Sequence, residues 1–158
     1  MESPRLVFRE IEEDDAAFIV DVRSEPDVYR YFVDPHRITL KEHLNWFHNI
    51  YPYNDRRTDY IALDKATGER VGVFGLILTG DAGEKAEINY LIRKEYQRRG
   101  LAAEGVECLL GYAASELRCN TALAEIHEEN TASLALAGKL GFVQTGRKDQ
   151  ILYFEKPL

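Results

Sequence analysis

Apolar and polar positions alternate from Leu6 to Glu10, which predicts a first strand. The acidic run Glu12 to Asp15 precedes Phe18, Ile19 and Val22, the order a helix dipole favours, so a helix follows. Pro26 ends that helix or opens the next, and Asp27 to Phe32 predicts a short second helix before the turn at Asp34-Pro35. Thr39 and Glu42 make a capping-box pattern, which places a helix from Leu40 to about Ile50 with Leu40, Leu44, Phe47 and Trp46 as its apolar positions. Tyr51 to Arg57 is polar, carries Pro52 and reads as a loop. Asp59 to Asp64 and Arg70 to Thr79 form a hairpin about Thr67-Gly68, and Gly72 and Gly75 mark a bulge or a close backbone approach. A turn over Gly80 to Gly83 leads into a further strand through Ile88, Tyr90, Leu91 and Ile92. From Gly100 the apolar spacing changes to three and four, through Val106, Leu109, Leu110, Ala113 and Leu117, so a helix begins there. Thr121 to His127 is a strand, Asn130 to Leu140 a helix stopped by Gly141, and Phe142 to Thr145 and Ile151 to Glu155 are closing strands. The order predicts an α/β (α+β) fold: a mixed, mostly antiparallel sheet of about seven strands with helices on both faces.

Composition narrows the function classes. The 158 residues suit one domain with a sizeable core, and no apolar run approaches a membrane span. Met1 to Arg5 lacks the apolar stretch of a signal peptide, and Cys108 and Cys119 lack metal-ligand spacing. The expectation is a cytoplasmic protein with free thiols and no metal. The net charge of −7 argues against nucleic-acid binding and is compatible with an amine substrate.

The chemistry concentrates in Glu87 to Ala102, a strand, a turn and a helix start. Gln97-Arg98-Arg99-Gly100 stands where a helix N-terminus offers unpaired N–H groups, a seat for phosphate; a merely solvated basic turn would read the same. Strand, Gln97-x-x-Gly100-x-Ala102 and helix in that order resembles motif A of the GNAT superfamily of N-acetyltransferases. The resemblance implies that the loop amides from Gln97 through Leu101 to Ala102 hold the pyrophosphate of acetyl-coenzyme A. It also implies that a backbone N–H at Leu91 or Ile92 faces the thioester carbonyl.

Asn130, Ser133, Leu136, Lys139, Leu140, Gly141 and Phe142 taken alone read as a capped helix with a core face. Together they resemble motif B of the same superfamily, where the Asn contacts the pantetheine arm and the Ser lies near the thioester. Arg9 and Asp15 fit the N-terminal pattern, so the resemblance covers most of the chain. It runs most towards the branch with ribosomal-protein N-terminal, spermidine and nucleotide-aminosugar acetyltransferases. One departure stands out: many relatives carry at the position of Ala137 a Tyr that protonates the leaving thiolate.

An amine must be neutral to attack, and for a lysine-like amine at pH 7 that costs about 4–5 kcal/mol. Glu87 and Glu125 are the candidate bases, and His127 shares a strand face with Glu125 and could relay protons. Ser133 or a water would complete the transfer. Tyr31 and His36 are candidates for the acceptor pocket, which the family builds from the N-terminal helices. The implied activity is direct transfer from acetyl-coenzyme A to a small-molecule or peptide amine, the acceptor being a protein N-terminus, an aminosugar nucleotide or a polyamine. The alternative is a non-catalytic acyl-coenzyme A sensor on the same fold. An exposed edge strand could pair two chains as a homodimer.

Overall fold

The computed structural model describes residues 1–32 and 34–158. Its strands are β1 (Leu6–Glu10), β2 (Arg57–Asp64), β3 (Arg70–Thr79), β4 (Lys85–Ile92), β5 (Thr121–His127), β6 (Val143–Lys148) and β7 (Ile151–Pro157). Among the described residues they form one seven-stranded sheet in the order β1-β2-β3-β4-β5-β7-β6. The helices are α1 (Ala16–Arg23), α2 (Pro26–Tyr29), α3 (Leu40–Asn49), α4 (Leu101–Ser115) and α5 (Thr131–Lys139). Among the described residues only β4 and β5 pair in parallel, because α4 carries the chain back across the sheet between them. None of these helices is long and apolar enough to cross a membrane.

Strand alternation divides the core between two faces. Phe74, Leu76, Ala86, Ile88 and Ile92 pack with Leu101, Val106, Leu109, Leu110 and Ala113 of α4. A methyl group on Gly105 would sit 2.3 Å from Phe74 Cζ, so α4 lies against β3 only because that position has no side chain. On the other face Ile11, Ile19, Tyr51 and Ile61 pack with Phe18, Trp46, Phe47, Leu63 and Val73. The helices therefore cover both faces, as the element order predicts.

Several boundaries and faces differ from the sequence expectation. Helix α2 ends at Tyr29 rather than Phe32. The segment read as a loop from Tyr51 contains a 3-10 turn, Tyr51–Tyr53, and β2 begins at Arg57. Tyr51 is buried because its hydroxyl donates to Glu10 Oε1 at 2.9 Å and accepts the Asp59 N–H at 3.0 Å, so its polar end is satisfied inside. Helix α3 has the expected capping box, but its buried position is His43, and Leu40 is 46% exposed. Trp46 and Phe47 pack on the second core cluster, and Leu44 stays half-buried. The bulge falls between Ala62 and Leu63, opposite Val71, while Gly72 and Gly75 mark close approach: a methyl on Gly72 would lie 2.3 Å from the Leu91 carbonyl oxygen.

Asp15, fully buried, ties β1, α1 and β3 together. Arg9 reaches it through two bonds of 2.7 and 2.8 Å, Arg70 Nε donates at 2.8 Å, and the Glu12 N–H donates at 2.8 Å. Every charge on that carboxylate has a partner, which is the condition for burying it.

Candidate active site at a split between two strands

Strand β4 pairs with β3 along its whole length, from Lys85 opposite Thr79 to Ile92 opposite Gly72. It pairs with β5 only through Lys85, Ala86 and Glu87, opposite Thr121, Ala122 and Leu123. Beyond Glu87 the two strands part and open a cavity of about 1120 Å³. That exceeds the usual span of about 300–1,000 Å³ for a single small ligand and has room for two reactants.

The Gln97–Gly100 loop forms one end of the cavity. Gly100 caps α4 at φ 76° and Arg98 also takes positive φ, 61°. A non-glycine residue held there costs about 1–2 kcal/mol, and such strain concentrates at ligand clamps. Among the described residues the backbone N–H groups from Arg98 to Ala103 donate to no protein acceptor; the first to do so is Glu104, to the Gly100 carbonyl at 3.1 Å. A run of free amides at a helix N-terminus suits an anion. Gln97 lines the cavity, but its Nε2 donates to the Ile92 carbonyl at 3.0 Å and so closes the loop onto β4. Arg98 and Leu101 line the cavity too, whereas the Arg99 side chain lies over the Tyr96 ring, 5.1 Å from its centroid. Arg5, which the sequence did not single out, braces the loop: Nη1 donates to the Arg99 carbonyl at 2.9 Å and Nε pairs with Glu104 at 2.7 Å.

On the α4/α5 side, Asn130 is the N-cap of α5, accepting the Ser133 N–H at 3.2 Å, and it also lines the cavity. The residue that sequence reasoning passed over is Tyr90. Its hydroxyl is 3.0 Å from Ser133 Oγ, one helical turn from Ala137 on the same face of α5. A phenol thus stands beside the position where relatives place theirs, reached from β4 instead of α5. Burial raises the Tyr90 pKa and the bond to Ser133 opposes this, so the hydroxyl keeps its proton at neutral pH. Backbone alternation decides which amide faces the cavity. Arg93 N–H bonds to Val71 O and Asn120 N–H to Glu84 O, which turns odd-numbered β4 residues towards β3 and even-numbered ones towards β5. The Leu91 amide therefore belongs to the β3 ladder, and those of Tyr90 and Ile92 face the split.

The opposite face carries the carboxylates. Arg57, Ile77, Glu87 and Leu123 stand in register across four strands, with Glu125 two residues further along β5. Glu87 is half-buried and Glu125 exposed, and both line the cavity. Burial and then the Glu125 charge raise the Glu87 pKa from its ordinary value, with Arg57 opposing.

The two candidate histidines part company here. His127 has no free nitrogen: Nδ1 accepts the Glu129 N–H at 3.1 Å, which leaves Nε2 to donate to Gln150 Oε1 at 3.3 Å. Like Tyr31, whose ring centroid is 5.6 Å away, it lines the cavity, and these bonds fix its ring there. His36 lies on the surface against the Asp34 carbonyl at 3.0 Å, because α2 ends early and the chain turns outward. Cys119 is buried in the α4-side core with its thiol on the Gly83 carbonyl, and Cys108 bonds to the Glu2 carbonyl; burial raises both thiols and neither lines the cavity.

Comparison with known proteins agrees with this geometry. Residues 5–143 match the family model for the acetyltransferase (GNAT) domain. An uncharacterized N-acetyltransferase, YoaA, from Bacillus subtilis is 27% identical over 155 residues, 97% of this chain and 88% of that one. The spermidine N(1)-acetyltransferase of Escherichia coli K12 is 24% identical over 139 residues, covering 87% of this chain and 73% of the other. The crystal structure of spermidine N-acetyltransferase from Vibrio cholerae in complex with CoA and spermine superposes with a TM-score of 0.85 at 21% identity, covering 97% of this chain and 95% of that one, and shows the same fold. The chain belongs to the GNAT acetyltransferases, enzymes that take an acetyl group from acetyl-coenzyme A and place it on an amine.

Proposed function

We propose that this chain acetylates a primary amine by direct attack in a ternary complex, with Glu87 as the base and Tyr90 as the proton donor to the departing sulfur. The observation that carries the reading is the placement of these two side chains on opposite faces of β4, just where β4 and β5 part. The pyrophosphate rests on the amides from Arg98 to Ala102, with Arg98 supplying fixed charge, and Asn130 lies along the pantetheine arm. The amine approaches from the Glu87 face and gives its proton to that carboxylate, with Glu125 beside it holding the local potential negative. The nitrogen bonds to the thioester carbon and releases its second proton to water, the carbon–sulfur bond breaks, and the Ile92 or Tyr90 amide steadies the carbonyl oxygen. Tyr90 donates to the thiolate and recovers a proton through Ser133 and water.

The decisive experiment follows thiol release from acetyl-coenzyme A across a panel of primary amines in the wild type and Tyr90→Phe. The variant keeps the ring stacked on Phe74, at 6.0 Å between centroids, and loses only the hydroxyl. Its kcat is expected to fall about ten- to a hundredfold with little change in the acetyl-coenzyme A KM. An unchanged kcat would remove Tyr90 from the mechanism, and tight binding without release on any amine would leave a binding module.

The two loop arginines should separate. Arg98→Glu is expected to weaken acetyl-coenzyme A binding at least about tenfold in calorimetry, because it sets a negative charge against the phosphates. Arg99→Glu should do much less, since that side chain covers Tyr96. Equal losses would show that the arginines act through general surface charge.

A further inference from the structure

The α1/α3 end of the cavity carries more polar character than holding a bare amine requires. Arg23 closes α1, lines the cavity and lies over the Phe32 ring, 5.4 Å from its centroid. Among the described residues it has neither an ion-pair nor a hydrogen-bond partner. Arg57 has one: it holds Asp59 through bonds of 2.6 and 3.1 Å, resting on Trp46 at 5.1 Å. Asp59 is engaged in that pair, and Arg57 also faces Glu87 across the sheet, so Arg23 is left as the guanidinium at this end without an ion-pair partner among the described residues. His43 is 1% exposed and lines the same wall, and neither ring nitrogen has a partner among the described residues. Burial and the nearby Arg23 hold it neutral, so it offers one donor and one acceptor. The remaining charged pair there, Arg30 with Asp27, is exposed at the rim at 3.8 Å and cancels.

An orphaned buried imidazole beside an unpaired guanidinium is costly unless a ligand completes them. We infer that the acceptor is a small primary amine that also bears an anionic group, a carboxylate or a phosphate, which Arg23 and His43 receive while the amine faces Glu87. This rests on the transferase reading above and names the substrate class for its acceptor side. The charge order along the cavity, carboxylates at the strand split and excess positive charge by α1, matches such a dipolar molecule. A polyamine would bring a second positive charge to Arg23.

The test uses amines in matched pairs: phenylalanine and 4-aminobutyrate each beside its carboxamide, phosphoethanolamine beside ethanolamine, with spermidine as the polycation. The α-amide of phenylalanine has the more acidic ammonium, so in that pair intrinsic reactivity runs against the expected preference. In at least one pair the anionic member should show kcat/KM about tenfold or more above its neutral partner and above spermidine. The carboxylate and phosphate pairs tell the two anions apart. Arg23→Met should collapse the ratio towards one, and Arg23→Lys, which keeps the charge without the fork, should retain part of it. Preference for the neutral members or for spermidine, or a ratio unmoved in a folded Arg23→Met, overturns the inference and leaves the transferase reading intact. If no amine releases thiol, that reading fails, and calorimetry of the same pairs on coenzyme A-loaded protein still decides whether this end takes an anion. Should Arg23→Met fail to fold, the wild-type ratios decide alone.

Discussion

Glutamine in place of Glu87 is expected to lower kcat/KM for the amine by about 10²- to 10³-fold while acetyl-coenzyme A binding stays close to that of the wild type. The size follows from what the carboxylate must do: a positioned base offsets part of the cost of neutralising an ammonium, which for a lysine-like amine is about 4–5 kcal/mol at pH 7. Glu87 suits the task better than a solvated glutamate. Burial and Glu125 raise its proton affinity, while Arg57, in register across the sheet, opposes that rise. The sign of a companion experiment follows. Glu125→Gln removes one of the influences that raise Glu87, so the acidic limb of the pH–rate profile should move to lower pH, with a smaller loss of rate. If Glu87→Gln keeps activity within about fivefold of wild type, or Glu125→Gln is the more damaging change, the base assignment moves to Glu125 or to water.

Alanine in place of Asp15 is expected to destabilise the fold by about 3–5 kcal/mol, lowering the melting temperature by roughly 10 °C. The loss exceeds one hydrogen bond because Arg9 and Arg70 would face each other without their shared counter-charge. Burial works against the Asp15 carboxylate, but the bonds from Arg9, the Glu12 amide and Arg70 outweigh it and hold its pKa at about 2. A carboxylate depressed on folding stabilises the native state above its unfolded pKa, near 4, and that contribution fades as pH falls towards 2. It amounts to about 2 kcal/mol, so wild-type stability should drop across that window more steeply than that of Asp15→Asn. Urea titrations from pH 6 to pH 2.5 would show it. Parallel curves for the two proteins would mean that Asp15 is not the group responsible.

Tyr90 shows where sequence reading stopped short. The sequence marks it only as a strand former. What the one-dimensional pattern lacked was its partner: Ser133 stands 43 positions away. A search for any phenol able to replace the one absent at Ala137 would have had to consider every tyrosine in the chain. His36 failed in the opposite way. Its aromatic neighbours made it a pocket candidate, but an early helix end put it in solvent.

Local signals determined most of the architecture: strand alternation, the capping box at Thr39, the switch from strand to helix spacing at Gly100, and the spacing of the two motifs. Each depends on residues within a turn or a strand length, where backbone sterics and hydrogen-bonding needs act directly. Only the tertiary structure decided that His43 is the buried position of α3 and that Leu40 is exposed, because Trp46 and Phe47 pack with Ile11, Ile19, Tyr51 and Ile61 of other elements. It alone decided that Arg23 has no ion-pair partner among the described residues, and that His127 spends both nitrogens on Glu129 and Gln150. Those outcomes depend on desolvation and on partners brought close by folding, and neither is written in the spacing of a chain.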